Sequence, residues 1–96
     1  MLFRSLVRLG QNHPNPFNPA TTIKFEVARE GRVDLAVYDL SGRRIKTLLS
    51  ETRSAGEHQV SWDGTDNSGS RVPSGMYFYR YVTGGEEISR KMTLLK

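Results

Sequence analysis

Apolar and polar side chains alternate strictly through most of this chain. In residues 21–27, Ile23, Phe25 and Val27 fall on one side and Lys24 and Glu26 on the other, the pattern of a half-buried strand. Residues 32–38 repeat it, with Val33, Leu35 and Val37 set against Asp34 and Ala36. A third strand is expected over 43–49, although Ile45 and Leu48 there have opposite parity; a bulge or an edge position accounts for such a conflict. Residues 57–62 place His58, Val60 and Trp62 on one face. Residues 75–83 put Tyr77, Tyr79 and Tyr81 on one side and Met76, Phe78, Arg80 and Val82 on the other. In a last strand over 87–95, Ile88, Met92 and Leu94 share a face, and residues 6–9 are apolar enough for a short first edge strand. Helical periodicity is nowhere sustained.

The breaks between these stretches carry turn chemistry. Arg29-Glu30-Gly31 and Asp39-Leu40-Ser41-Gly42 read as turns, and Gly84-Gly85 as a hairpin. Between Trp62 and Gly75 lie Asp63, Gly64, Asp66, Asn67, Ser68, Gly69, Ser70 and Pro73, residues that favour turns through positive φ and side chain-to-backbone hydrogen bonds. That loop is too long for a tight hairpin and suits a crossing between two sheets. The stretch Q-N-H-P-N-P-F-N-P (11–19) is neither helix nor central strand, because its prolines lack amide donors and hold their predecessors extended. It reads as a stiff connector with Phe17 available to pin it to the core. Together these elements predict an all-β fold, an immunoglobulin-like antiparallel sandwich of about seven strands.

Composition narrows the functional classes. A chain of 96 residues suits one domain, which buries roughly 60–70% of its unfolded surface. Residues 11–96 are expected to be that domain, and residues 1–10 a truncated linker or an artefactual start. There is no cysteine, which excludes disulfides, thiolate metal sites and cysteine nucleophiles. The net charge of +4 and pI of about 9.8 come from Lys and Arg spread along the chain among acidic residues, a solvated basic surface rather than a nucleic-acid footprint. No apolar run approaches the ~20 residues of a membrane helix, so no stable membrane insertion is expected.

Catalytic constellations are not visible. The only histidines are His13, in the connector, and His58, on a strand face with Val60 and Trp62. No serine sits in a nucleophile elbow, and neither glycine-rich nucleotide pattern occurs. Asp63, Asp66 and Asn67 could offer oxygens to calcium, but the spacing is not that of an EF-hand and carboxylate-capped turns are the simpler expectation. Tyr77, Tyr79 and Tyr81 would make a sugar-stacking platform if exposed; beside the only tryptophan they are expected in the core. No cofactor and no metal is expected, and no enzymatic activity.

Several stretches in order carry a resemblance. Q-N-H-P-N-P-F-N-P-A-T-T-I-K-F (11–25) resembles the opening of the C-terminal sorting domains of proteins exported by the bacterial type IX secretion system, with His13 where tyrosine is usual. V-Y-D-L-S-G-R-R-I-K-T-L (37–48) is similar to that family's central motif. W-D-G-T-D-N-S-G-S-R-V-P-S-G-M-Y-F-Y-R (62–80) resembles a stretch shared with the immunoglobulin-like domain of the flagellar hook-capping protein, and R-K-M-T-L-L-K (90–96) ends as such domains end. The resemblance covers about residues 9–96. It implies a non-catalytic module following a larger passenger, met by outer-membrane secretion machinery in the periplasm and bound for the cell surface or the medium. It also implies recognition through the final strands, carried here by Gly75, Tyr77, Lys91, Leu94, Leu95 and Lys96. A last strand bearing Arg90, Lys91 and Lys96 would offer a receptor both an open edge and a basic end. The alternatives are a structural assembly domain of hook-capping type and a carbohydrate-binding or adhesion sandwich attached to an extracellular enzyme.

Overall fold

Strands form where the alternation places them. The computed structural model describes residues 8–95, which hold seven strands and no helix. They are β1 (Arg8–Leu9), β2 (Thr21–Val27), β3 (Gly31–Asp39), β4 (Arg44–Arg53), β5 (Gly56–Trp62), β6 (Gly75–Thr83) and β7 (Glu86–Leu94). Leu6 and Val7 of the expected first strand, residues 1–7 of the start expected over 1–10, and Lys96 lie outside the described residues, while Arg8 and Leu9 pair with β2. The strands pair antiparallel in two sheets, β1-β2-β5 and β4-β3-β6-β7. This is the expected immunoglobulin-like sandwich. The long loop from Trp62 to Gly75 does cross from one sheet to the other.

The core lies between the sheets and takes alternate side chains from β2, β3 and β6. Val33, Leu35 and Val37 on β3 are fully buried, as are Ile23 on β2 and Tyr79 and Tyr81 on β6. Burying one aliphatic side chain of that size is worth about 1.5–3 kcal/mol, so the alternation is enforced strand by strand. Tyr77, Tyr79 and Tyr81 are core residues, which removes the platform that a carbohydrate-binding reading needs. Their hydroxyls reach backbone carbonyls of Pro73, Gly10 and Glu26 at 2.6, 2.7 and 2.9 Å.

The parity conflict in β4 has a physical resolution. Leu35 pairs with Leu49 but Ala36 with Thr47, and Val37 pairs with Lys46 but Tyr38 with Arg44. Leu48 and Ile45 are therefore the extra residues of two bulges, on a strand that is also a sheet edge. The bulges let both side chains pack against the core despite their spacing.

Candidate functional site

The connector, the loop from Trp62 to Gly75 and the end of β7 meet at one end of the sandwich. Trp62 organises this end. Its ring is buried, with Phe17 of the connector 5.5 Å away and Tyr77 of β6 also at 5.5 Å, edge-on at 73°. Its indole N–H donates to the Thr65 carbonyl at 2.8 Å. Phe17 does pin the connector.

The connector also closes the edge of β7, against the expectation that this edge is open to a receptor. Gln11 Nε2 donates to the Lys91 carbonyl, Thr93 N–H to Asn15 Oδ1, Phe17 N–H to the Thr93 carbonyl and Leu95 N–H to the Phe17 carbonyl. Further back, Arg90 Nε donates to the Leu9 carbonyl at 2.7 Å. The connector is itself anchored by Asn12, which is buried: its N–H donates to the Tyr79 hydroxyl and its side-chain amide to Thr21 Oγ1 and the Pro14 carbonyl. Peptide bonds before Pro14, Pro16 and Pro19 are cis. On the opposite edge of the same sheet the loop does the equivalent for β4, where Asn67 Oδ1 accepts from Thr47 N–H and Asn67 N–H donates to the Ile45 carbonyl.

The acidic residues of this end hold turns. Asp39 Oδ1 accepts from Ser41 N–H, Ser41 Oγ and Arg43 N–H, and Asp66 Oδ1 accepts from Ser68 N–H, Ser68 Oγ and Ser70 N–H. The two turns are the same device, D-L-S-G-R and D-N-S-G-S, with Gly42 and Gly69 at φ of 91° and 90°. That D-x-S-G echo is the signal in the sequence that the strand-by-strand reading overlooked. Asp63 Oδ1 accepts from Thr65 N–H and Oγ1 in a third turn. The Asp63, Asp66 and Asn67 oxygens named here are thus engaged within the fold. Among the described residues no group of three or more His, Asp or Glu side chains is placed to hold a metal.

These bonds hold all three carboxyls below their ordinary value of 3.8; the largest cause is the Ser41 hydroxyl at Asp39, the Thr65 hydroxyl at Asp63 and the Ser68 hydroxyl at Asp66. Their contribution is complete above that ordinary value and is lost as pH falls through the lower folded-state pKa. Thermal melts are therefore expected to hold near neutrality and to weaken below pH of about 4. The combined variant Asp39→Asn, Asp63→Asn and Asp66→Asn flattens that acid limb; an unchanged limb would assign it to other carboxylates.

The expected recognition residues separate into two kinds. Tyr77 and Leu94 are core side chains, and burial, followed by the charge of Asp39, pushes the Tyr77 hydroxyl up. Gly75 opens β6 opposite Leu94 with φ of 144°, a conformation that side chains other than glycine rarely adopt. Lys91 stands exposed opposite Phe78, and Leu95 is 48% exposed at the end of the sheet. Gly75, Tyr77, Leu94 and Leu95 come together at this end, with Lys91 one register step away on the outer face. What was not foreseen is the set of polar side chains that seal the edges, Gln11, Asn12, Asn15 and Asn67.

A seven-stranded sandwich with turn-locked acids and with both edges of its four-stranded sheet bonded by the connector and the loop defines an immunoglobulin-like domain. The chain belongs to the FlgD Ig-like domain family, whose model matches residues 14–86. Among solved structures it is similar to PorU from Porphyromonas gingivalis, with a TM-score of 0.73 and 21% identity over 98% of this chain and 10% of that one. It is also similar to PorZ, an essential surface component of the type IX secretion system of Porphyromonas gingivalis, with a TM-score of 0.65 and 20% identity over 95% of this chain and 12% of that one. FlgD from Xanthomonas campestris, a protein of flagellar hook capping, matches with a TM-score of 0.59 and 27% identity over 78% of this chain and 55% of that one. The chain thus spans about a tenth of the length of PorU and PorZ. No curated protein matches it in sequence.

Proposed function

We propose that this domain is a non-catalytic C-terminal module that directs a larger secreted or surface protein through the outer membrane by the type IX route. The observation that carries the reading is the extent of the likeness. The FlgD Ig-like family model stops at residue 86, where β7 begins, whereas the likeness to PorU spans 98% of the chain. The seam between connector and β7 lies largely beyond that family match, and it builds the end of the domain that a receptor would meet. In this reading Gly75, Lys91, Leu95 and Lys96 form the contact, with Tyr77 and Leu94 shaping it from beneath. The partners are the secretion machinery and the passenger that precedes the module, and the route runs through the periplasm to the cell surface or medium.

The test fuses residues 6–96 behind a reporter that carries a signal peptide, in a bacterium with a working type IX system. The reporter is expected on the surface or in the medium, and to be lost from both when the translocon is disabled. Retention in the periplasm in both strains would overturn the reading. A second reading, a structural assembly domain of hook-capping type, draws on the family match and on the 27% identity to Xanthomonas FlgD. A flagellar operon around the gene would favour it, and a large passenger upstream would favour the first.

A further inference from the structure

The outer face of the four-stranded sheet carries a row of side chains that the strands alone do not explain. Arg44, Tyr38, Phe78 and Lys91 follow one another across β4, β3, β6 and β7 by register. The Tyr38 and Phe78 rings stack at 5.3 Å and 13°. The Arg80 guanidinium lies 4.8 Å over the Tyr38 ring and 5.9 Å over Phe78, and the Arg44 guanidinium lies 5.5 Å over Tyr38. Arg44 also donates to the Tyr38 hydroxyl and to Thr47 Oγ1. Tyr38 ends up buried although it points away from the core, because these long side chains lie over it. Arg80 Nε makes no hydrogen bond, and its nearest carboxylate oxygen, on Glu87, is 3.8 Å away.

The apolar surface of the molecule gathers beside this row. The exposed large hydrophobic residues among the described ones are Leu40, Met76 and Leu95, at 63, 45 and 48%. All three stand at the same end of the same sheet. Met76 pairs with Thr93; Leu40 follows Asp39, which pairs with Tyr77; Leu95 follows Leu94, which pairs with Gly75. One exposed large hydrophobic residue is ordinary, but three beside an aromatic and cationic row mark an interaction surface.

We infer that this face docks an acidic segment of another protein, with carboxylates on Arg44, Arg80 and Lys91 and aliphatic side chains against Leu40, Met76 and Leu95. The charges select the occupant. A guanidinium over an aromatic ring can still present edge nitrogens to a carboxylate, which applies to Arg80; Arg44 already gives donors to Tyr38 and Thr47 and adds its charge. Arg32, Arg44, Arg80 and Lys91 against Asp34 and Glu87 leave the face positive, so a second copy presenting this same face would meet it with like charge. A base or sugar ring would have to displace the guanidinium groups from Tyr38 before it could stack. The inference shares Lys91 and Leu95 with the secretion reading but does not depend on it, and holds in an assembly domain equally.

The test titrates the isotope-labelled chain with a synthetic peptide containing alternating Glu and Leu. Amide shifts are expected at Tyr38, Phe78, Arg80, Lys91 and Leu95. Arg80→Gln and Met76→Ser are each expected to weaken binding about tenfold, and Lys91→Glu, on an exposed side chain that no fold contact requires, to weaken it as well. Lys24→Glu, on the exposed face of β2, leaves it unchanged. Melting curves confirm that each variant is folded. Shifts confined to other surfaces, equal binding of a Lys-Leu peptide, displacement by a single-stranded oligonucleotide, or unchanged affinity in folded Lys91→Glu would each overturn the inference.

Discussion

Trp62→Ala is expected to cost about 3–5 kcal/mol of unfolding free energy, the range for deleting a buried aromatic side chain. For a domain of this size that lowers the melting temperature by roughly 15–30 °C, enough to leave much of the protein unfolded at growth temperature. The estimate sits at the upper end because Trp62 joins three pieces distant in sequence. Its ring holds Phe17 of the connector and Tyr77 of β6, and its N–H satisfies the Thr65 carbonyl. Removing it leaves a cavity between two sheets that cannot collapse without moving β6, and takes away the ring on which Phe17 of the connector packs. Trp62→Phe keeps most of the ring packing, so it should recover more than half of the loss, while the Thr65 carbonyl stays unpaired. Urea unfolding by circular dichroism measures both. A loss below about 1 kcal/mol for alanine would show that this end of the sandwich folds without its central ring.

The second expected result concerns one oxygen atom. The Tyr79 hydroxyl, on a fully buried side chain, donates to the Gly10 carbonyl at 2.7 Å and accepts from Asn12 N–H at 2.8 Å. Tyr79→Phe strands both backbone groups away from water, and an unsatisfied buried group costs about 1–3 kcal/mol. The combined loss is expected at about 2–4 kcal/mol. Tyr77→Phe and Tyr81→Phe each remove a single donor to one carbonyl and should cost about 1 kcal/mol. Hydrogen exchange offers an independent reading: the Asn12 amide is expected to lose its protection in Tyr79→Phe while β6 keeps its own. Equal losses in all three variants would show that the hydroxyl of Tyr79 has no special role in fixing the connector.

Those two residues show what a sequence of this kind reveals and what it hides. The strands were legible because each core strand buries alternate side chains, so Ile23, Phe25 and Val27, or Tyr77, Tyr79 and Tyr81, announce their face directly. Even the exception at Ile45 and Leu48 was legible as a bulge or an edge, and it is both. The FlgD Ig-like kinship was legible from the stretch 62–80, much of it turn residues. Alternation could not reveal what covers the edges. Asn15 and Gln11 act on β7 across most of the length of the chain, and Asn67 acts on β4 through one side-chain oxygen. Nor could it show that Tyr38, on the polar side of β3 by parity, is buried beneath arginine side chains. Both depend on where long or polar side chains lie in space, which period alone does not encode. The expected recognition residues came from resemblance alone, and the structure divides them into buried Tyr77 and Leu94 and accessible Lys91 and Leu95.

The seam between connector and β7 bears on how the domain carries load. Its bonds join Leu9 to Arg90, Gln11 to Lys91, Asn15 and Phe17 to Thr93, and Phe17 to Leu95, so the two segments run side by side in the same direction. A pull backward on residue 8 and forward on residue 95 therefore slides one segment along the other. Force applied in that geometry is shared by all the bonds of the seam at once, where a hairpin pulled from its open end would break them one at a time. A protein tethered through this domain would be held by a shear joint, and the joint would yield only when the connector and the last strand let go together.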